Sequence, residues 1–245
     1  MVYSNENEEK IEDYEYTIDG PDVGMPVWFT VDLPPSAIAR LNIYMKDSEN
    51  IPANHSLAGN ISESQYLKDT DDWFFKHYVE FMCKDFRQSN DFDLGGIMGH
   101  RNRFKHPYML DSLWVNYQKQ HEFNPPHTHA GIYSFVIFMK IPTKWEEQHA
   151  LPFSGNSNAP RASDFTFDYM DCYGEPKSET FNMGPEWENK MLFFPAKLRH
   201  GVYPFFNCDE ERITISGNVS YNTNITLRTE EEIAEAAKLR VPEYR

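Results

Sequence analysis

The segment Arg212-Ile213-Thr214-Ile215-Ser216-Gly217-Asn218-Val219-Ser220-Tyr221 alternates polar and apolar residues along almost its whole length. A pattern with a period of two is that of an extended chain, so Arg212, Thr214, Ser216, Asn218 and Ser220 share one face and Ile213, Ile215 and Val219 the other. Such a strand either faces solvent with its polar side or lines a site within a barrel. Four further runs read as strands: Leu113–Tyr117, Tyr133–Ile141, Phe165–Tyr169 and Met191–Phe194. They are short, follow the Gly95-Gly96 break and are separated by Pro, Asn, Gly and Asp, the rhythm of an all-β sandwich or barrel. The stretch from Phe153 to Ser163 reads as a long loop near its mouth.

Helical spacing flanks this β region. Ser36 is positioned to cap a helix carrying Ala37, Ile38, Leu41 and Met45, and Thr70 with Asp71 and Asp72 to start a second. Phe74, Tyr78, Phe81, Met82 and Phe86 form the stripe of that second helix. Thr229 and Glu232 make a capping box ahead of Ile233, Ala236, Ala237 and Leu239. The expected organisation is a flexible acidic segment over 1–24, or a strand borrowed by the main sheet. One domain over 25–228 with N-terminal helices and a C-terminal helix over 229–245 complete it.

The chain has 245 residues, 40% of them apolar and 15% aromatic, enough for one sizeable core. Its 38 acidic and 23 basic residues give a net charge of −15, and the basic ones are scattered, which argues against nucleic-acid binding. The first twenty residues show neither a basic nor an apolar leader region, and no stretch nears the roughly 18 apolar residues of a membrane span. A soluble, cytoplasmic protein is therefore expected. Cys83, Cys172 and Cys208 are odd in number and lack CxxC spacing, so they read as buried thiols.

Of nine histidines, His55, His77, His100, His106, His121 and His149 have no partner at ligand spacing. Asn124-Pro125-Pro126-His127-Thr128-His129 differs: residues two apart in an extended segment point the same way, so His127 and His129 can address one point. His200 closes the apolar run that begins at Phe193. Two neighbouring ligands and a distant third form a facial set that leaves the opposite side of an octahedral metal open, and imidazole suits iron, copper, nickel and zinc alike. Arg212, opening the polar row, has the planar fork that binds a carboxylate bidentately.

The stretch Tyr133–Tyr221 resembles the 2-oxoglutarate/Fe(II) oxygenases with a prolyl-hydroxylase-like core, in particular a phage and bacterial group. The resemblance rests on Tyr133-Ser134-Phe135-Val136, on Leu192-Phe193-Phe194-Pro195 running to His200-Gly201-Val202, and on Glu211-Arg212-Ile213-Thr214-Ile215-Ser216, with a weaker likeness at His55-Ser56-Leu57. It implies a mainly β fold with flanking helices, a double-stranded β-helix or cupin-like jelly roll. It also implies Fe(II), O2 and 2-oxoglutarate as cofactors, with Arg212 on the distal carboxylate of 2-oxoglutarate and Thr214 and Tyr117 as further contacts. The family's usual His-x-Asp or His-x-Glu becomes His127-Thr128-His129 here, so the implied ligand set is His127, His129 and His200. A shifted register would start at His129 and leave Gly131 at the carboxylate position, as in related halogenases.

The implied reaction is hydroxylation of a C–H bond with release of succinate and CO2. The substrate is a small molecule or a protein side chain, of cationic or neutral character if the acidic surface has a say. Trp145, Trp187, Phe153 and Phe165 are candidates for the entrance, and Phe135, Phe193 and Phe194 for excluding water. Two other readings compete: a three-histidine cupin dioxygenase that does not use 2-oxoglutarate, and a metal-free jelly-roll binding module.

Overall fold

A computed structural model describes residues 16–19, 28–89, 107–171 and 173–225. Among the described residues, eleven strands form two sheets in which every neighbouring pair is antiparallel. In spatial order the larger holds β1 (Tyr16–Asp19), β2 (Trp28–Asp32), β9 (Lys190–Pro195), β6 (Tyr133–Lys140), β11 (Arg212–Tyr221), β4 (Tyr108–Gln118) and β3 (Glu63–Tyr66). The smaller runs β5 (Asn124–His127), β10 (Arg199–Val202), β7 (Phe165–Met170) and β8 (Pro176–Phe181). The two sheets face one another as a double-stranded β-helix.

Period-two alternation explains both faces of the large sheet. Its outer side presents Phe29 and Val31 from β2, Met191 and Phe193 from β9, Phe135 and Ile137 from β6, Ile215 and Val219 from β11, and Leu113 and Val115 from β4. Two helices cover these residues: α1 (Pro35–Lys46) with Leu41 and Tyr44, and α2 (Glu80–Ser89) with Met82, Cys83 and Phe86. Phe86 stands 4.9 Å from Phe29 and 5.3 Å from Tyr133, centroid to centroid, locking helix to sheet. Between the sheets, Val136, Phe138, Leu192 and Phe194 meet Phe165 and Phe167 of β7 in a second cluster.

Gly217 is required where β11 passes β6. A Cβ there would come within 2.4 Å of the Phe135 ring and 3.0 Å of the Ser112 carbonyl, so only hydrogen fits under the ring.

The helix starts differ from those expected. Pro34 occupies the cap position of α1 without a side-chain bond, and the Ser36 hydroxyl instead lies 3.5 Å from the Tyr78 hydroxyl. At the second helix the cap is Asp69: its carboxylate accepts from the backbone N–H groups of Phe74 and Phe75 at 2.9 and 2.8 Å. Thr70–Asp72 is a short 3-10 turn in which Asp71 and Asp72 have positive φ. A wide π turn over Phe75–Val79 then adds a residue and rotates the helix face, so Cys83 enters the core and Phe81 is left at its rim.

All five strands read from the sequence are present, each within a residue or so except the first, which extends to Tyr108–Gln118. The short strands β2, β3, β5, β8 and β10 were not foreseen. Residues 151–163 carry no strand, as the loop reading expects. The C-terminal helix over 229–245, Cys172, His100 and His106 lie outside the described residues. Cys83 is fully buried, whereas Cys208 is only partly so. Among the described residues, no helix is long and apolar enough to cross a membrane.

Candidate metal centre

His127 and His200 sit opposite one another as paired residues of β5 and β10. The backbone of His129, just past the end of β5, donates to the Ala196 carbonyl at 2.8 Å, which holds it against the end of β9. The three rings therefore converge, with centroids 4.3 Å apart for His127 and His200, 4.8 Å for His127 and His129, and 4.9 Å for His129 and His200. One ring nitrogen from each lies within 4.8 Å of the others, and the two Nε2 atoms of His129 and His200 are 3.1 Å apart. Adjacent ligands on an octahedral ion stand about 3 Å apart at metal–nitrogen distances of roughly 2.1 Å.

Backbone carbonyls orient two of the rings. His127 Nδ1 donates to Pro125 O at 2.7 Å and His200 Nδ1 to Leu198 O at 2.9 Å, which leaves both Nε2 lone pairs directed at the shared point. Phe165 stacks on His200 at 5.8 Å and Phe194 meets it edge-on at 4.8 Å. Burial pushes all three imidazoles toward the neutral form. It lowers His127, brings His129 down to about 4 with help from His127 and Lys197, and takes His200 well below the ordinary histidine range. A neutral imidazole is the ligand form.

The cluster opens into a cavity of about 280 Å³ between the sheets. From β11 come Arg212, Thr214, Ser216 and Asn218; from β4 come Trp114, Asn116 and Gln118; Ser56, Leu57 and Ser64 close another side. Thus the polar row of β11 faces inward, and the surface reading of that strand is excluded. No carboxylate lines the cavity among the described residues, so the chain's acidic character stops short of the site.

Arg212 is 1% exposed. Its Nη2 donates to the Ser163 carbonyl at 2.8 Å and to the Ser163 hydroxyl, and its guanidinium lies 5.3 Å from the Phe205 ring centroid. Nε and Nη1, both buried, have no acceptor among the described residues. Burial draws the Arg212 pKa down to about 10 against the opposing pull of Asp164, so the group stays charged at neutral pH. Buried charged donors without acceptors are costly unless a ligand supplies them, and donors at a cavity wall fit an incoming anion.

Tyr117 is a correction. It falls on the outward face of β4 with Leu113 and Val115, packs against the outer core and does not line the cavity. Strand alternation puts its neighbours Asn116 and Gln118 inside instead. Thr214 does reach the cavity, where the Asn116 amide donates to its hydroxyl at 3.4 Å. Gly131, the ligand position of the shifted register, turns away from the site. It has φ +89°, and a Cβ there would strike the Val219 carbonyl at 2.6 Å.

The aromatic candidates divide similarly. Phe165 lines the cavity, Trp187 packs in the inter-sheet cluster and Trp145 meets His149, while Phe153 is 62% exposed. Phe193 is core rather than lid. The remaining described histidines stay away from the cluster; His149 pairs with buried Asp164 at 3.0 Å, and His77 stacks on Trp73.

Residues 112–218, which include the three histidines and the cavity-lining residues of β4 and β11, match the family described as "Putative 2OG-Fe(II) oxygenase". No curated protein matches the chain. Among solved structures, it is similar to an oxidoreductase of the 2OG-Fe(II) oxygenase family from Burkholderia pseudomallei, with a TM-score of 0.46 and 14% identity over 82% of this chain and 88% of that one. It is also similar to a Pseudomonas putida prolyl-4-hydroxylase, with a TM-score of 0.41 and 11% identity over 82% and 93%.

Proposed function

We propose that this protein is an Fe(II)- and 2-oxoglutarate-dependent oxygenase that hydroxylates a C–H bond with release of succinate and CO2. One observation carries the reading: three convergent neutral imidazoles share a small cavity with a buried arginine whose Nε and Nη1 lack acceptors among the described residues. The donor set fits iron(II), which would be held by His127, His129 and His200. When bound, the metal and its co-substrate supply the oxidising chemistry.

The chain's own residues do the rest. Arg212 binds the distal carboxylate of 2-oxoglutarate, and Thr214 adds a hydroxyl beside it on the same strand face. Pro125 and Leu198 carbonyls fix the tautomers of His127 and His200, so no proton must leave those Nε2 atoms before they ligate. Because the cluster contains no carboxylate, the protein supplies no negative charge to the ion, and the 2-oxo acid end of the co-substrate provides it. Phe165 and Phe194 keep water from the His200 side. Apart from Arg212 the cavity lining is uncharged, polar along β11 and apolar at Val136, Phe138, Phe165 and Phe194, which suits an uncharged substrate group better than a cation.

A three-histidine cupin reaction would give Arg212 no role, and a binding module would give the imidazoles none. His127→Gln is the cleaner ligand variant, because His127 is half-buried whereas truncating buried His200 also opens a hole among phenylalanines. The expected outcome is one iron per wild-type chain, 2-oxoglutarate-dependent succinate formation, and loss of both in His127→Gln, with the melting curve unchanged between the two metal-free proteins. Full iron occupancy in the variant would remove His127 from the site, and succinate formation independent of iron would end the reading.

A further inference from the structure

Behind Arg212, on the side away from the cavity, the chain holds Ser163 in a conformation that L-residues rarely adopt. Ser163 is fully buried and has φ +76°. A serine there is strained and persists only where its surroundings impose it. The surroundings are on hand: Ser163 N–H donates to the Pro204 carbonyl at 2.9 Å, Tyr203 N–H donates to the Asp164 carbonyl at 2.8 Å, and the Thr143 hydroxyl lies 3.2 Å from the Ser163 hydroxyl. Segments 163–164 and 203–204 thus form a short two-segment brace. What this backbone shape achieves is to present the Ser163 carbonyl and hydroxyl together to one nitrogen, Nη2 of Arg212.

The brace also includes the group beneath the guanidinium. Phe205, fully buried, follows directly on Pro204, and the Gln148 side chain clamps the next residue by donating to Phe206 O and accepting from Phe206 N, both at 2.8 Å. With Nη2 fixed from behind and the ring beneath, the guanidinium has one orientation, in which Nε and Nη1 have no acceptors among the described residues.

We propose that Ser163 is the positioning residue for the co-substrate: its hydroxyl and carbonyl aim Arg212, and thereby set the affinity for a 2-oxo acid that carries a distal carboxylate. This rests on the 2-oxoglutarate reading above. Ser163 touches neither co-substrate nor metal and acts through Arg212 alone. Its loss therefore weakens recognition of the distal carboxylate, not of the 2-oxo acid end.

The test is anaerobic titration of the iron(II)-loaded wild type, Ser163→Ala and Ser163→Gly with 2-oxoglutarate and, separately, with 2-oxobutyrate, which lacks the distal carboxylate. The readout is the visible charge-transfer band that chelation produces. Ser163→Ala removes the hydroxyl and keeps the strained φ; Ser163→Gly removes both, so it folds without the backbone penalty. Both variants should need about tenfold more 2-oxoglutarate for half-saturation, the scale of one hydrogen bond to a charged group. Half-saturation by 2-oxobutyrate should not change. Unchanged 2-oxoglutarate affinity in Ser163→Ala, full affinity in Ser163→Gly, or equal weakening toward both acids would each overturn the role. A wild type that binds no 2-oxoglutarate would overturn the co-substrate reading itself, a result separable from the others because it precedes any variant.

Discussion

Strands β6 and β11 are neighbours in one sheet, yet their inner faces have opposite character. Both turn apolar residues outward to the helices, Phe135 and Ile137 from one and Ile215 and Val219 from the other. Inward, β6 presents Val136 and Phe138, which pack in the aromatic cluster and form an apolar wall of the cavity, whereas β11 presents Arg212, Thr214, Ser216 and Asn218 to that cavity. One strand spacing, about 4.8 Å, separates a packed interior from a polar one. The outer face is continuous across both strands and holds the sheet together, which leaves the inner face of β11 and β4 free to carry polar groups. Stability and chemistry thus occupy different halves of the same interior, and variants in the two halves should fail differently.

The largest effect belongs to the packed half. Phe167→Ala empties a site ringed by Trp28, Phe165, Phe181 and Phe194 and should cost about 3–5 kcal/mol in urea unfolding. A loss below about 1 kcal/mol would mean that the inter-sheet cluster is not what holds the small sheet. Gly217→Ala should cost about 1–3 kcal/mol by forcing the Phe135 ring aside. That residue separates the two halves, so the same variant should also perturb 2-oxoglutarate binding if the β6–β11 register matters to both.

Acid should act on the cavity half. Burial depresses His127, His129 and His200 in the folded chain, so the folded state binds fewer protons than the unfolded state below the ordinary histidine value of about 6.5. Their contribution to stability is complete above that value and declines as pH falls toward about 4, where His129 titrates. The melting temperature of the metal-free protein should drop over that interval, and His129→Gln should flatten part of the drop. A profile equally steep in the variant would assign the acid sensitivity to the carboxylates. The smallest stability effect is expected at Thr214→Val, a few tenths of a kcal/mol, accompanied by a several-fold rise in the 2-oxoglutarate requirement. A larger loss of stability with no such rise would make Thr214 structural.

The same division governs what could be read in the sequence. Arg212 and its row were legible because period-two alternation is strong over ten residues, and the histidine cluster because His127 and His129 are two apart beside an apolar strand. At Tyr117 family spacing and strand alternation point different ways, and alternation prevails: once Leu113 and Val115 face the helices, Tyr117 follows them and Asn116 turns inward. The brace at Ser163 was illegible. Its serine lies in a loop of Ser, Gly, Asn and Pro, and neither a positive φ at a non-glycine residue nor a contact with a strand 49 residues away has a local signature. Strands β5 and β10 are four residues each, one of them interrupted by two prolines, too short and irregular for periodicity to register.

The central claim is that the histidine cluster and Arg212 serve one bound molecule. Anaerobic titration of the iron(II)-loaded protein with 2-oxoglutarate tests it directly, by the charge-transfer band in the wild type and in Arg212→Ala. The account predicts a band in both, with the variant requiring at least tenfold more co-substrate. A band that forms at equal concentrations in the two proteins, or none in the wild type with iron shown to be bound, would contradict it.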